Sequence, residues 1–186
     1  MKAITGTLPA DETGWAFEIK WDGVRVLSAI ESGAVRLRSS NGNDITARYP
    51  ELQALADALE GHAVVLDGEV VAFDDAGRPS FGRLQQRMHL ANAAEVRMRA
   101  ETVPITYVVF DLLHLDGNDV MPLSYLDRRR LLIDLVPDDG CWTVPAAHGE
   151  GDGATLLKAV SDRGLEGVMA KGPTVRICQA SGRRRG

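Results

Sequence analysis

Residues 17–25 read FEIKWDGVR, a stretch with the apolar content of a β-strand but with four charged residues in nine positions. Glu18, Lys20 and Asp22 are spaced two apart, so in a strand their side chains share one face and the lysine amine is held between two carboxylates. Charged residues on an edge strand commonly face water or form surface ion pairs, and this interpretation is favoured for the segment taken alone. Its role therefore depends on what else the chain contains.

The composition is that of a globular protein: 186 residues, 45% hydrophobic and 25% charged, enough for one domain or one and a half. No apolar run approaches the roughly 20 residues of a membrane span, and no signal-peptide pattern is present, so we expect a cytoplasmic location and no membrane association. Cys141 and Cys178 lack neighbouring Cys or His residues, which argues against disulfides and structural zinc. The net charge of −5 argues mildly against unaided nucleic-acid binding, although a local groove can still be positive.

The order of the predicted elements favours an α+β fold with antiparallel sheets, because strands and helices do not alternate as regularly as in a doubly wound parallel sheet. Strand patterns cover residues 15–20, 24–30, 34–39, 63–73 and 104–113. An amphipathic helix is predicted from Pro50 to Gly61. Its buried face consists of Leu52, Leu55, Ala56 and Leu59. Further helical patterns cover residues 81–100, 124–136 and 153–163.

Two further segments combine strand character with charge. In VVLDGEVVAFD (64–74), Asp67 and Glu69 lie on one strand face, and Gly68 between them allows close approach of another group. In GLEGVMAKG (164–172), Glu166 and Lys171 stand at the two ends of a short apolar strand. Each segment alone is compatible with solvated strand ends or a turn. Three such segments in one chain favour a functional site.

These segments, in their order, resemble the motifs of the covalent nucleotidyltransferases, which include ATP-dependent DNA ligases, RNA ligases and mRNA capping enzymes. KWDGVR (20–25) is similar to their Lys-x-Asp-Gly-x-Arg signature. LDGEVV (66–71), YVVFDLLHLDG (107–117) and EGVMAK (166–171) resemble three further motifs. The flanking stretch RLRSSNGNDITARYPEL (36–52) is most similar to bacterial ATP-dependent DNA ligases, especially the ligase domain of the end-joining type.

The resemblance implies an α+β nucleotidyltransferase domain, ATP-grasp-like, with mainly antiparallel sheets flanked by helices, over residues 1–171. In this family the motif lysine, here Lys20, attacks the α-phosphate of ATP and carries AMP. The AMP then passes to a 5′-phosphate of nicked or broken double-stranded DNA, and a 3′-hydroxyl seals the nick. A lysine must lose its proton before it attacks. Asp22 is expected to position Lys20 or to serve the later sealing step.

The resemblance also implies the remaining site residues. The expected nucleotide-binding residues are Glu18, Ile19, Arg25, Glu69, Phe110 and Lys171. Glu166 and Glu69 are expected to hold Mg²⁺, which needs only one or two carboxylates in addition to substrate phosphates. Phe110 is expected to stack on adenine, although without the motif a core phenylalanine is the favoured interpretation. End-joining repair proteins are possible partners, and a monomer is expected.

Two features depart from the family pattern. Ser40 stands where the family often has arginine, so one phosphate or nucleotide contact is in doubt. After Lys171 the family continues with Asp-Ser-x-Tyr-x-Pro-Gly-x-Arg-Ser, a Trp-x-Lys-x-Lys motif and an oligonucleotide-binding barrel, whereas residues 172–186 read GPTVRICQASGRRRG. We therefore expect a chain that lacks the barrel and is impaired in ligation. The alternatives are a non-catalytic nucleotide-binding remnant and an RNA ligase or capping-type nucleotidyltransferase.

The basic tail 172–186 has a testable origin. When the frame of its codons is moved back by one base, residues 173–183 are compatible with Asp-Ser-Ala-Tyr-Leu-Pro-Gly-Val-Arg-Ser, the continuation expected for the family. The tail is thus interpreted as a frameshifted reading. Sequencing the gene is expected to show Asp-Ser-x-Tyr and a downstream Trp-x-Lys motif in the shifted frame, and a gene without them contradicts this interpretation.

Overall fold

The structure of the protein, a computed structural model, describes residues 5–172. The strands are β1 (Ala16–Lys20), β2 (Val24–Glu31), β3 (Ala34–Ser39), β4 (Val64–Ala72), β5 (Ile105–Leu115), β6 (Asn118–Asp119), β7 (Trp142–Thr143) and β8 (Gly167–Lys171). The α-helices are α1 (Leu55–Ala58), α2 (Phe81–Met88), α3 (Ala93–Thr102), α4 (Tyr125–Leu135) and α5 (Gly153–Asp162). Two 3₁₀ turns, Thr46–Arg48 and Pro50–Ala54, precede α1.

The strands form two sheets. The large sheet has the antiparallel order β3-β2-β4-β5-β6, with β7 added parallel to β5. The small sheet is the antiparallel pair of β1 and β8, which come from opposite ends of the described chain. The predicted α+β fold with antiparallel sheets is confirmed, and every strand predicted from the sequence is present with ends that differ by at most two residues.

The main core lies on one face of the large sheet. Along β3, Val35 and Leu37 are buried while Arg36 and Arg38 are exposed, which is the alternation expected of a sheet covered on one side. A smaller apolar cluster forms where Phe17 of β1 packs against Leu156 and Val160 of α5. The opposite, more open face of the large sheet carries charged side chains, and the candidate site lies there.

The helix predicted from Pro50 to Gly61 is wrong in its geometry, though correct in its buried face. Leu52, Leu55, Ala56 and Leu59 are all buried as predicted. The chain instead forms the 3₁₀ turn Pro50–Ala54 followed by one turn of α-helix. The fully buried Arg87 binds the Glu51 carboxylate at 2.8 Å and the Arg48 carbonyl at 2.9 Å, which fixes the start of this segment in the tighter geometry.

The helical region 81–100 consists of two helices rather than one. The Asn92 side chain accepts a hydrogen bond from the backbone N–H of Ala94 at 2.8 Å, so it caps α3 and separates it from α2. Within residues 5–172, no helix is both long and apolar enough to span a membrane. The frameshift interpretation of the tail concerns residues 173–186, which lie outside the described part of the chain.

Candidate active site

Lys20 stands at the end of β1, where it pairs in register with Gly167 of β8. Its ammonium forms an ion pair with the carboxylate of Glu166, the residue directly before β8. The two side chains are 41% and 40% exposed, so the amine is accessible from solvent. The pairing of β1 with β8 supplies this partner, whereas the neighbouring Glu18 binds Lys171 and Arg129 instead of Lys20.

Asp22 lies exposed in the connection between the small sheet and the large sheet. Gly23, which follows it, packs against the carbonyl oxygen of Val70 and the side chain of Val71 on β4. A Cβ atom at position 23 would overlap the Val70 carbonyl, so glycine is required for this close crossing. The Asp-Gly pair of the sequence motif thus brings an acidic side chain across β4, near Glu69.

Arg25 and Asp67 form a two-pronged ion pair on the open face of the large sheet. Arg25 Nε lies 2.9 Å from Asp67 Oδ1, and Nη2 lies 2.5 Å from Oδ2. The Asp67 side chain is only 3% exposed, while that of Arg25 is 34% exposed. Asp67 therefore orients a guanidinium that remains partly accessible. The sequence placed Asp67 and Glu69 on one face but did not predict that Asp67 pairs with Arg25.

Glu69 is the strand partner of Arg25, and it is half-buried. Burial raises the pKa of Glu69 to about 7, with Asp67 and Asp22 adding to the increase and Arg25 and Lys20 opposing it. These effects also show that Lys20 and Asp22 are within electrostatic reach of Glu69. A carboxyl that titrates near neutrality can exchange its proton for a ligand.

The raised pKa of Glu69 predicts that its burial weakens folding as the pH increases. Between pH 4.5 and pH 7 the folded state retains a proton that the unfolded state releases, so stability falls over this range and the loss is complete above pH 7. Glu69→Gln removes this titration. The free energy of unfolding of Glu69→Gln minus that of wild type should therefore be roughly 1–2 kcal/mol larger at pH 8 than at pH 5. Urea titrations at the two pH values measure this difference. The exposed Glu60→Gln is the control, and an equal response of both variants contradicts the prediction.

Phe110 occupies a β-bulge in β5. Asp67 pairs with Asp111 and Gly68 pairs with Val109, which leaves Phe110 without a partner on β4. A bulge redirects the side chain of the extra residue. Phe110 is half-buried and belongs to neither of the two apolar clusters that residues 5–172 form. The geometry therefore favours a surface role for Phe110 over the core role.

Glu18 and Lys171 form a buried cluster beside Phe110. Lys171 Nζ lies 2.8 Å from Glu18 Oε2, donates a hydrogen bond to the Phe110 carbonyl at 3.2 Å, and lies 5.1 Å from the centre of the Phe110 ring. The other carboxylate oxygen of Glu18 accepts hydrogen bonds from the hydroxyl of Tyr125 and from Arg129 Nη1, the latter at 2.9 Å. The sequence analysis predicted Glu18 and Lys171 as site residues but did not predict Tyr125 and Arg129.

Ile19 has a different position from its neighbours. Its side chain packs against the small cluster of Phe17, Leu156 and Val160, on the opposite face of β1 from Glu18 and Lys20. Only its main chain is placed to contact a ligand on the Lys20 face. The structure therefore assembles the other predicted site residues on two neighbouring walls: Glu18, Lys20, Glu166 and Lys171 on the small sheet, and Arg25, Glu69 and Phe110 on the large sheet, with Asp22 between them.

The donor atoms of this site suit a magnesium ion bound together with phosphates. No group of three or more His, Cys, Asp or Glu side chains in the described chain forms a metal cluster. Mg²⁺ commonly uses only one or two carboxylates, with water and substrate phosphates completing its coordination. Glu166 is exposed and Glu69 is near Lys20, so these two carboxylates fit that requirement.

The fold and the site define a nucleotidyltransferase domain with a lysine at the end of a strand. Residues 1–184 match the family model for the ATP dependent DNA ligase domain. The chain belongs to this family. The match favours a DNA ligase over the RNA ligase and capping-enzyme alternatives.

Individual relatives agree with the family match. The chain is 44% identical over 172 residues to the multifunctional non-homologous end joining DNA repair protein LigD of Mycobacterium tuberculosis, covering 92% of this chain and 21% of that protein. A structure of mycobacterial DNA ligase D complexed with ATP and MES has a TM-score of 0.78 at 41% identity, covering 94% of this chain and 54% of that one. The structure of the ligase domain of M. tuberculosis LigD has a TM-score of 0.73 at 41% identity, covering 89% of this chain and 51% of that one. The chain thus spans about a fifth of the length of LigD.

Proposed function

We propose that this chain is the adenylation domain of an ATP-dependent DNA ligase of the end-joining type. It forms a lysyl-AMP on Lys20 and transfers the AMP to a DNA 5′-phosphate for nick sealing in DNA repair and recombination. The observation that carries the proposal is an accessible lysine, paired with Glu166 and within electrostatic reach of Glu69, on whose sheet Arg25 and Phe110 also lie. The similarity to LigD supports the same assignment.

The reaction at Lys20 exchanges one bond at phosphorus for another. The Nζ atom attacks the α-phosphorus of ATP, a P–N bond forms, and the P–O bond to pyrophosphate breaks. The amine attacks only in its neutral form, so it must lose its proton, and because the Lys20 side chain is 41% exposed the proton can leave to solvent. Asp22, in the exposed connection after β1, positions Lys20 or serves the later sealing step.

The other residues bind and orient the nucleotide. Phe110 stacks on adenine, with Glu18 and the main chain of Ile19 beside the base. Arg25, oriented by Asp67, contacts a ribose or phosphate oxygen, and Lys171 stabilises charge on the α-phosphate. Glu166 and Glu69 would hold Mg²⁺, which would neutralise charge on the phosphates when bound.

The similarity to known ligases supports a proposal for the substrate and the setting of this enzyme. The DNA substrate is a nicked or broken duplex, and end-joining repair proteins are its proposed partners. We propose a monomer in the bacterial cytoplasm. The proposed DNA substrate and partners rest on the similarity to LigD, a multifunctional non-homologous end joining DNA repair protein.

A labelling experiment tests the proposed function. The protein is incubated with Mg²⁺ and ATP labelled either at the α-phosphate or at the γ-phosphate, then denatured and separated by electrophoresis. We expect covalent label from the α-labelled nucleotide only, because the γ-phosphate departs with pyrophosphate. Nucleotide binding without covalent label supports the non-catalytic remnant instead.

A further inference from the structure

The small and large sheets are joined at the candidate site by two adjacent arginines of α4. Arg128 binds Asp111 on β5, with Nε 2.7 Å from Oδ1 and Nη2 2.9 Å from Oδ2. Arg129 binds Glu18 on β1 at 2.9 Å and also the carbonyl oxygen of Pro145. Asp111 directly follows Phe110, and Glu18 precedes Lys20 by two residues. Each arginine therefore binds a strand beside a residue that is proposed to contact the substrate.

Both arginines are buried, which distinguishes them from ordinary surface cations. The side chains of Arg128 and Arg129 are 1% and 9% exposed, whereas that of the next residue, Arg130, is 77% exposed. Buried charges are stable only when they are paired and hydrogen-bonded, and removal of one partner is costly. The two ion pairs therefore fix the position of α4 relative to both sheets.

Tyr125 adds a second contact between α4 and the small sheet. It lies one helical turn before Arg129, and its hydroxyl donates to the same Glu18 oxygen that Arg129 binds. The Tyr125 ring also lies 4.5 Å from the ammonium of Lys171, which binds the second oxygen of Glu18. Glu18 thus has a hydrogen-bond partner on each oxygen, and its position beside the Phe110 wall is defined by α4.

We propose that Tyr125 and Arg129 are positioning residues for nucleotide binding, acting through Glu18, while Arg128 anchors the same helix to the strand that bears Phe110. Together they set the separation between the Lys20 strand and the adenine-stacking wall. This inference rests on the proposed function. Since Tyr125 and Arg129 do not contact the reacting atoms, their loss should weaken ATP binding more than the chemical step at saturating ATP.

The test measures self-adenylylation rates of Arg129→Lys and Tyr125→Phe against ATP concentration. We expect the KM for ATP to increase about tenfold to a hundredfold, as for loss of one charge-assisted hydrogen bond, and kcat to change by less than about fivefold. Arg130→Met, on the exposed side of the same helix, should retain wild-type KM and kcat. Melting temperatures of all variants show that each is folded at the assay temperature.

A double-variant experiment tests whether the two residues act through Glu18. Glu18→Gln and Arg129→Lys combined should raise the KM no further than the more severe single change, because both remove the same interaction. Unchanged KM in Arg129→Lys and Tyr125→Phe, or fully additive effects in the double variant, would overturn the positioning role. A wild-type protein that takes no label contradicts the proposed function itself, so the two failures are distinguishable.

Discussion

Replacement of Lys20 should abolish covalent AMP labelling, with a loss of at least about a thousandfold, because removal of a nucleophile leaves no group to form the intermediate. Both Lys20→Ala and Lys20→Arg should be inactive. Arginine retains the positive charge and the ion pair with Glu166 but is a poor nucleophile at neutral pH. Equal inactivity of the two variants would show that charge alone does not support the reaction.

The matched control is Lys158→Arg. Lys158 is exposed on α5, where it pairs with Asp162 at 2.6 Å, and it has no contact with the candidate site. This variant should label as well as wild type. Mass spectrometry of the labelled wild-type protein should place AMP on Lys20. Undiminished labelling of Lys20→Ala, or AMP on a different lysine, excludes the proposed nucleophile.

The sequence predicted the walls of the site better than the contacts between them. The spacing of Asp67 and Glu69 correctly placed both side chains on one strand face, because side-chain alternation in a strand is a local property. The spacing of the sequence places Lys20 between Glu18 and Asp22, whereas its ion-pair partner in the structure is Glu166, which only the pairing of β1 with β8 brings near. Long-range strand pairing is not encoded in local periodicity.

The missed residues, Tyr125 and Arg129, lie in a helix whose sequence YLDRRRLLIDL resembles a solvated surface helix. The burial of Arg128 and Arg129 depends on Asp111 and Glu18, which lie on two other elements. One local signal was available: a run of three arginines followed by leucines places at least one arginine toward the apolar face of the helix. A buried arginine requires a carboxylate partner, and Glu18 and Asp111 were the candidates.

The role of Phe110 could not be predicted from local periodicity alone. An apolar residue in the middle of the strand YVVFDLL has the same local pattern whether it faces the core or a ligand. The register shift between Asp67 and Gly68 on β4 leaves Phe110 without a strand partner, and such a bulge arises from tertiary packing. The resemblance to family motifs predicts a ligand-facing role where periodicity alone favours the core, and that role stays a prediction.

Gly68→Ala should destabilise the fold by about 3 kcal/mol, because position 68 has no room for a methyl group. A Cβ atom there would lie 2.5 Å from the carbonyl oxygen of Val108 and 2.6 Å from the ring of Tyr107. Neither the Val108 carbonyl nor the Tyr107 ring can shift easily to make room. The Tyr107 side chain is fully buried, and its hydroxyl is held by the carbonyl of Val26 at 3.0 Å.

Gly82→Ala provides the matched control, because a Cβ atom at this exposed position of α2 meets nothing within 4 Å. In a helix this change should stabilise by up to about 1 kcal/mol. Urea unfolding followed by circular dichroism measures both variants. Since Gly68 separates Asp67 from Glu69, a folded fraction of Gly68→Ala should also bind nucleotide more weakly than wild type, as the strand must shift to relieve the overlap. A Gly68→Ala protein as stable as Gly82→Ala would show that β4 does not lie against β5 as closely as the structure describes.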